Sequence, residues 1–220
     1  MPSLGATIDR PHVWQPAAQN VAGARTILLL HGMGADEHDL LALGRLLDPA
    51  ANLLSPRGLV NPDGLNRFFM RHADGTFDEA GIALAADELA DFLVAASERY
   101  GFNPSKVWAA GFSNGANTCV ALIQRHPEAL QGVSAYSVTK QLAVDVFDAA
   151  IRSLPASSLS GKKVFIANGA IDPHAPLSEA RELTRQLSEL GAQVELLEHS
   201  GGHTIVMEHV RPVITYLAAN

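Results

Sequence analysis

The chain has 220 residues, 47% of them hydrophobic and 18% charged, with a formal net charge of −7. That composition can bury one sizeable core, excludes disorder over most of the length, and argues against a nucleic-acid or anionic-membrane surface, both of which need clustered Lys and Arg. The single cysteine, Cys119, excludes an intrachain disulfide, and with no leader pattern in Met1-Pro2-Ser3-Leu4 and no run of about 18 apolar residues to span a bilayer, a cytoplasmic protein is expected.

Short apolar runs alternate with longer amphipathic ones along the chain. Thr26–Leu30 ends at His31-Gly32, and Asn52–Leu54 ends at Ser55-Pro56. A helix follows over Ile82–Tyr100, where Ile82, Ala85, Ala86, Leu89, Leu93, Ala96 and Tyr100 recur at helical spacing and Gly101 supplies a stop. Val107–Ala110 reads as a strand ending at Gly111, then a helix from Asn114 to His126 ends at Pro127. Val133–Tyr136 is the next strand, and a helical pattern within Lys140–Leu159 carries Phe147 on or beside its apolar stripe. Val164–Ala167 ends at Asn168-Gly169, a helix over Leu177–Leu190 closes at Gly191, Val194–Leu197 is a strand, and Thr204–Leu217 is the last helix. Short, continuously apolar strands fit a parallel sheet covered on both faces. The alternation predicts an α/β fold: a mostly parallel, doubly wound sheet in a single domain over residues 1–220. Ligands in such sheets sit beyond the carboxyl ends of the strands, so the residues that follow strands carry the information.

Gly111-Phe112-Ser113-Asn114-Gly115 stands between a strand and a helix. A G-x-S-x-G in that setting is a nucleophile elbow: a sharp turn exposes the serine hydroxyl, and small flanking residues let strand and helix approach. Ser113 is therefore the expected nucleophile, with Cys119 read as a small core residue of the same helix. Backbone N–H groups would stabilise the tetrahedral anion; the amides of Asn114 and of Met33, in the loop His31-Gly32-Met33-Gly34, fit that role. His31 is expected to brace the loop, and its spacing from Asp36 and His38 does not make a metal site. In this fold the order is Ser, then acid, then His. Asp172 lies in the turn after the Val164–Ala167 strand, and His203 follows Ser200-Gly201-Gly202 after the next one. His199 and His174 are the rival histidines, the first expected to pack and the second to line the site.

Leu29 to Glu37, Ser55-Pro56-Arg57-Gly58, Arg67-Phe68-Phe69, Gly111 to Asn117 and Gly201-Gly202-His203 occur in that order. As a set they resemble the phospholipase/carboxylesterase family of α/β hydrolases, which includes acyl-protein thioesterases. With Phe77-Asp78-Glu79 added, the match looks closest to a bacterial branch that includes a hydrolase linked to hydroquinone resistance. The resemblance implies an α/β-hydrolase fold with a minimal cap and a cofactor-free carboxylic-ester hydrolase. It carries over Ser113, Asp172 and His203 as the triad, with Met33 and Asn114 as donors. Asn114 departs from the Gln usual in thioesterase relatives, and Lys140–Leu159 is longer than in the nearest branch; both bear on substrate rather than chemistry. Arg57, Arg67, Phe68, Phe69, Phe147 and His174 are candidates for the pocket wall. The competing reading pairs the arginines with Asp78 or Glu79 and packs the phenylalanines. The expected partner is a small-molecule ester, with no nucleic acid, no membrane insertion and no metal, and a homodimer left open. Acyl thioesterase, lysophospholipase-type hydrolase and a non-catalytic binding protein on the same fold are the alternatives.

Overall fold

In the computed structural model, which describes residues 8–18, 23–72, 76–139 and 155–220, each apolar run named above is a strand. The strands are β1 (His12–Gln15), β2 (Thr26–Leu30), β3 (Asn52–Pro56), β4 (Val107–Phe112), β5 (Gly132–Tyr136), β6 (Lys163–Gly169) and β7 (Gln193–His199). The helices among the described residues are α1 (Leu41–Leu47), α2 (Glu79–Tyr100), α3 (Asn114–Arg125), α4 (Leu177–Glu189) and α5 (Met207–Ala219). One sheet orders the strands β1-β3-β2-β4-β5-β6-β7. β1 pairs antiparallel with β3, and every other neighbouring pair is parallel.

The two faces of the sheet build two apolar clusters. Leu28 and Leu30 of β2 join Ala109 of β4 under α2, α3 and α4, whose Leu89, Val120 and Leu183 face them. Ile27 and Leu29 turn the other way, with Trp108 and Ala110, toward Leu47 of α1 and Val213 of α5. The period-2 side-chain alternation of a strand thus serves both layers, which is why these runs are apolar at most of their positions. No helix of the described residues is long and apolar enough to cross a membrane.

β1 and α1 have no counterpart in the sequence reading. β1 is an edge strand whose four residues are all half-buried, so it lacks the continuous apolar run that marks its neighbours. α1 is seven residues with Gly44 in its middle, too short to display a period. The last helix begins at Met207 rather than Thr204, because the Thr204 N–H donates to Gly202 O at 3.0 Å and Val206 is extended. The helix expected within Lys140–Leu159, Phe147 included, falls on residues 140–154, outside the described residues.

β2 and α3 meet at backbone distance at Gly115. A Cβ there would stand 2.0 Å from Leu30 O and 2.6 Å from His31 O. Both obstacles are main chain, so they cannot rotate away. Gly115→Ala is expected to lose at least about 3 kcal/mol of stability, as overpacking against immovable atoms does. Chemical denaturation measures it, and a variant within about 1 kcal/mol of the parent would show that α3 can slide off β2.

Candidate active site

Ser113 joins β4 to α3 with φ 53° and ψ −114°. A non-glycine residue in that region is strained by about 1–3 kcal/mol. Its neighbours hold it there: the Ser113 N–H donates to Tyr136 O at 2.9 Å, and Ser113 O accepts from the Asn117 N–H at 3.0 Å. Serine before a helix usually caps it through its hydroxyl. Here the side chain makes no capping bond, so Oγ stays available to chemistry. Cys119, the other nucleophile type on α3, is fully buried, and burial pushes its thiol far above the ordinary value.

Asp172 and His203, the expected acid and base, come from adjoining loops after β6 and β7. Asp172 Oδ2 accepts from His203 Nδ1 at 2.7 Å, while Asp172 Oδ1 accepts from the backbone N–H groups of His174 at 2.8 Å and Ala175 at 3.0 Å. With the carboxylate ionised, Nδ1 carries the imidazole proton and the Nε2 lone pair is left free. Burial by itself raises the Asp172 pKa, but the bond from His203, the two backbone bonds and the charge of His203 more than offset it and hold the carboxyl below its usual range. Phe112 lies 4.8 Å from the His203 ring and His174 crosses it at 5.2 Å, fixing its plane.

The two loops are knitted at Gly169, where a Cβ would stand 2.2 Å from Gly201 O and 2.4 Å from Gly202 O. Asn168, fully buried, donates through Nδ2 to Val138 O at 2.8 Å and Ala175 O at 3.0 Å. It thereby ties the acid loop to the chain that leaves β5.

The loop carrying Met33 is braced by His31. Gly58 N–H donates to His31 Nε2 at 3.0 Å, so the proton sits on Nδ1 and goes to Gly32 O at 2.7 Å. Burial lowers the pKa of this ring, which suits a neutral brace. Gly34 N–H donates to Asn66 O at 2.8 Å. Asn114 then holds the next residues: Oδ1 accepts from Phe68 N–H at 2.8 Å and Nδ2 donates to Phe69 O at 3.1 Å. The segment 66–69 therefore links the Met33 loop to the start of α3. Asn114 N–H, at the first helical position, has no intrahelical carbonyl to bond.

Ser113, Asn114, Met33 and His203 line one cavity of about 390 Å³. Of the candidate wall residues, Arg67, Phe69 and His174 line it, and Arg57 and Phe68 do not. Arg57 pairs with Glu37 at 2.5 and 2.6 Å, and Arg67 with Asp63. The arginines are paired as the competing reading supposed, but with other carboxylates: Asp78 caps α2 by accepting from Gly81 N–H at 3.0 Å. Phe68 packs against His31, 4.9 Å between rings. His199 ends β7, accepts from Gly201 N–H at 2.9 Å and packs on His209, away from the cavity lining.

The family model for phospholipases and carboxylesterases matches residues 14–220. The chain belongs to the phospholipase/carboxylesterase family. It is 38% identical over 179 residues to the putative hydrolase MhqD of Bacillus subtilis (strain 168), covering 81% of this chain and 85% of that one. The carboxylesterase of Bacillus cereus has a similar structure, with a TM-score of 0.84 and 33% identity over 96% of this chain and 94% of its own. A carboxylesterase from Mesorhizobium loti superposes with a TM-score of 0.77 and 28% identity, covering 89% of each chain. This chain is a hydrolase of that family.

For a family hydrolase, the sequence reading overlooked several cavity residues. Arg71, Phe77, Phe112 and Asn117 all line it. Phe112 belongs to the elbow motif and Asn117 lies one helical turn beyond Ser113, so both could have been proposed from the elbow. Arg71 and Phe77 are brought together only by an antiparallel bridge between them in a loop.

Proposed function

We propose that this chain is a serine carboxylesterase that hydrolyses small or short-chain carboxylic esters. Ser113 acts as nucleophile, His203 as general base and acid, and Asp172 as the group that fixes the His203 tautomer. The observation that carries this reading is the 2.7 Å bond from His203 Nδ1 to Asp172 Oδ2 beside the cavity that Ser113 lines. A free Nε2 takes the Ser113 proton as Oγ attacks the ester carbonyl. The N–H groups of Met33 and Asn114 receive the oxyanion, the alcohol leaves with the proton from His203, and water repeats the sequence on the acyl-enzyme. The chain supplies every group this reaction needs, without a cofactor. A cavity of about 390 Å³ lies at the small end of ligand sites, which favours a small ester.

Fluorophosphonate labelling tests the nucleophile: Ser113 should be modified, whereas a binding protein on this fold would leave it untouched. p-Nitrophenyl esters of increasing chain length, run beside acyl-CoA substrates, separate an esterase from a thioesterase or lysophospholipase-type enzyme.

Acidification should abolish activity by protonating the base, whose lone pair the first step requires. Asp172, held below the usual carboxylate range, keeps its charge through that loss. The acid limb of kcat/KM is therefore expected above about pH 4, the region where ordinary carboxylates titrate. A limb at or below that value, measured on folded enzyme, would identify a carboxylate as the titrating group.

A further inference from the structure

Among the described residues, four basic side chains line the cavity, Arg67, Arg71, His174 and His203, and no carboxylate does. This is a concentration of basic groups in a chain whose net charge is −7. Two of the four are already committed. Arg67 pairs with Asp63 and donates through Nε to Leu65 O at 3.1 Å. His203 bonds Asp172. Arg71 differs: its guanidinium carbon lies 4.4 Å above the Phe77 ring, and one NH2 reaches His174 O at 3.5 Å. It has no carboxylate partner among the described residues.

The Phe77 ring holds the guanidinium by its face, and apart from the NH2 that reaches His174 O the N–H edge has no hydrogen-bond partner among the described residues. A guanidinium carries five N–H donors in a planar fork, the shape that takes a carboxylate in two parallel bonds. Arg71 and Phe77 stand opposite each other in the antiparallel bridge, so the backbone sets both on the cavity wall. Ser113 lines the same cavity of about 390 Å³, and an ester that fills a space of that size meets both residues.

The geometry points to a substrate that carries a free carboxylate besides its ester bond, with Arg71 as the residue that receives it. This rests on the esterase reading and adds the chemical class of the substrate. The acid can belong to the acyl group or to the alcohol, and matched pairs separate the two. One pair is 4-nitrophenyl hydrogen adipate and its methyl ester, a chain long enough to limit attack by its own carboxylate. The other is 4-acetoxybenzoate and methyl 4-acetoxybenzoate.

The readout is the ratio of kcat/KM, charged over neutral, which does not depend on how much of a variant is folded. The wild-type ratio is expected to exceed ten in at least one pair, and that pair names the side of the ester that faces Arg71. Arg71→Gln should lower that ratio about tenfold and Arg71→Lys by less, since a point charge keeps the attraction and loses the fork. Added salt should lower the wild-type ratio and leave that of Arg71→Gln unmoved. Neutral esters cleaved with no preference for the charged partner in either pair would overturn the proposal and leave the esterase reading standing. A preference that survives both substitutions would overturn it as well. If no ester is cleaved, the esterase reading fails and takes this one with it.

Discussion

Ser113→Ala should lower kcat/KM for every ester substrate by about four to six orders of magnitude, the range seen when the nucleophile of a serine hydrolase is removed. At 1.36 kcal/mol per tenfold, that is about 5 to 8 kcal/mol of lost transition-state stabilisation. Among the described residues no other nucleophile lines the cavity. Cys119 is fully buried with its thiol pKa pushed up, and Ser137 does not line the cavity. The variant should stay folded, because the bonds that hold residue 113 in its left-handed conformation come from its backbone N–H and carbonyl. Alanine keeps both. Initial rates on a p-nitrophenyl ester, beside a thermal melt, make the measurement. A folded variant that retains more than about a tenth of wild-type kcat/KM would remove Ser113 from the mechanism.

Asp172→Asn should lower kcat by about three to four orders of magnitude with little change in KM, as loss of the correct imidazole tautomer does in other serine hydrolases. The orientation of the new amide is dictated by the loop. The N–H groups of His174 and Ala175 both donate to Asp172 Oδ1, so an asparagine must place its oxygen there. Its NH2 then faces His203 Nδ1, which has to become an acceptor. The proton moves to Nε2, and the ring can no longer take one from Ser113. The two backbone bonds survive, so the fold should too. A kcat within tenfold of wild type would show that Asp172 does not set the tautomer.

Both expectations use residues that could be chosen before any coordinates existed. The elbow is local: a strand, a tight turn with small flanks and a helix lie within adjacent residues, and the physics that exposes Ser113 acts over that span. The central strands were legible because burial on both faces leaves them mostly apolar, with few exceptions such as Thr26 and Ser134. Asp172 and His203 were legible because each follows such a strand. Where burial was partial, as in β1, or the element short, as in α1, no such signal exists.

The sequence by itself determined the class of sheet and the family, and it marked Ser113, Asp172 and His203 as the candidates for the site. Tertiary structure alone decided how those parts are held. Asn114 grips the backbone of Phe68 and Phe69, more than forty positions away. His31 accepts a hydrogen bond from the Gly58 N–H, and Gly169 makes room for Gly201 and Gly202. Arg57 and Arg67 found Glu37 and Asp63 rather than the acids nearer the start of α2, and Arg71 stands on the cavity with no carboxylate partner among the described residues. The physical reason is common to all of these. A hydrogen bond or ion pair between distant segments needs only one donor and one acceptor brought within about 3 Å, and such a pair leaves no period, run or spacing in the chain.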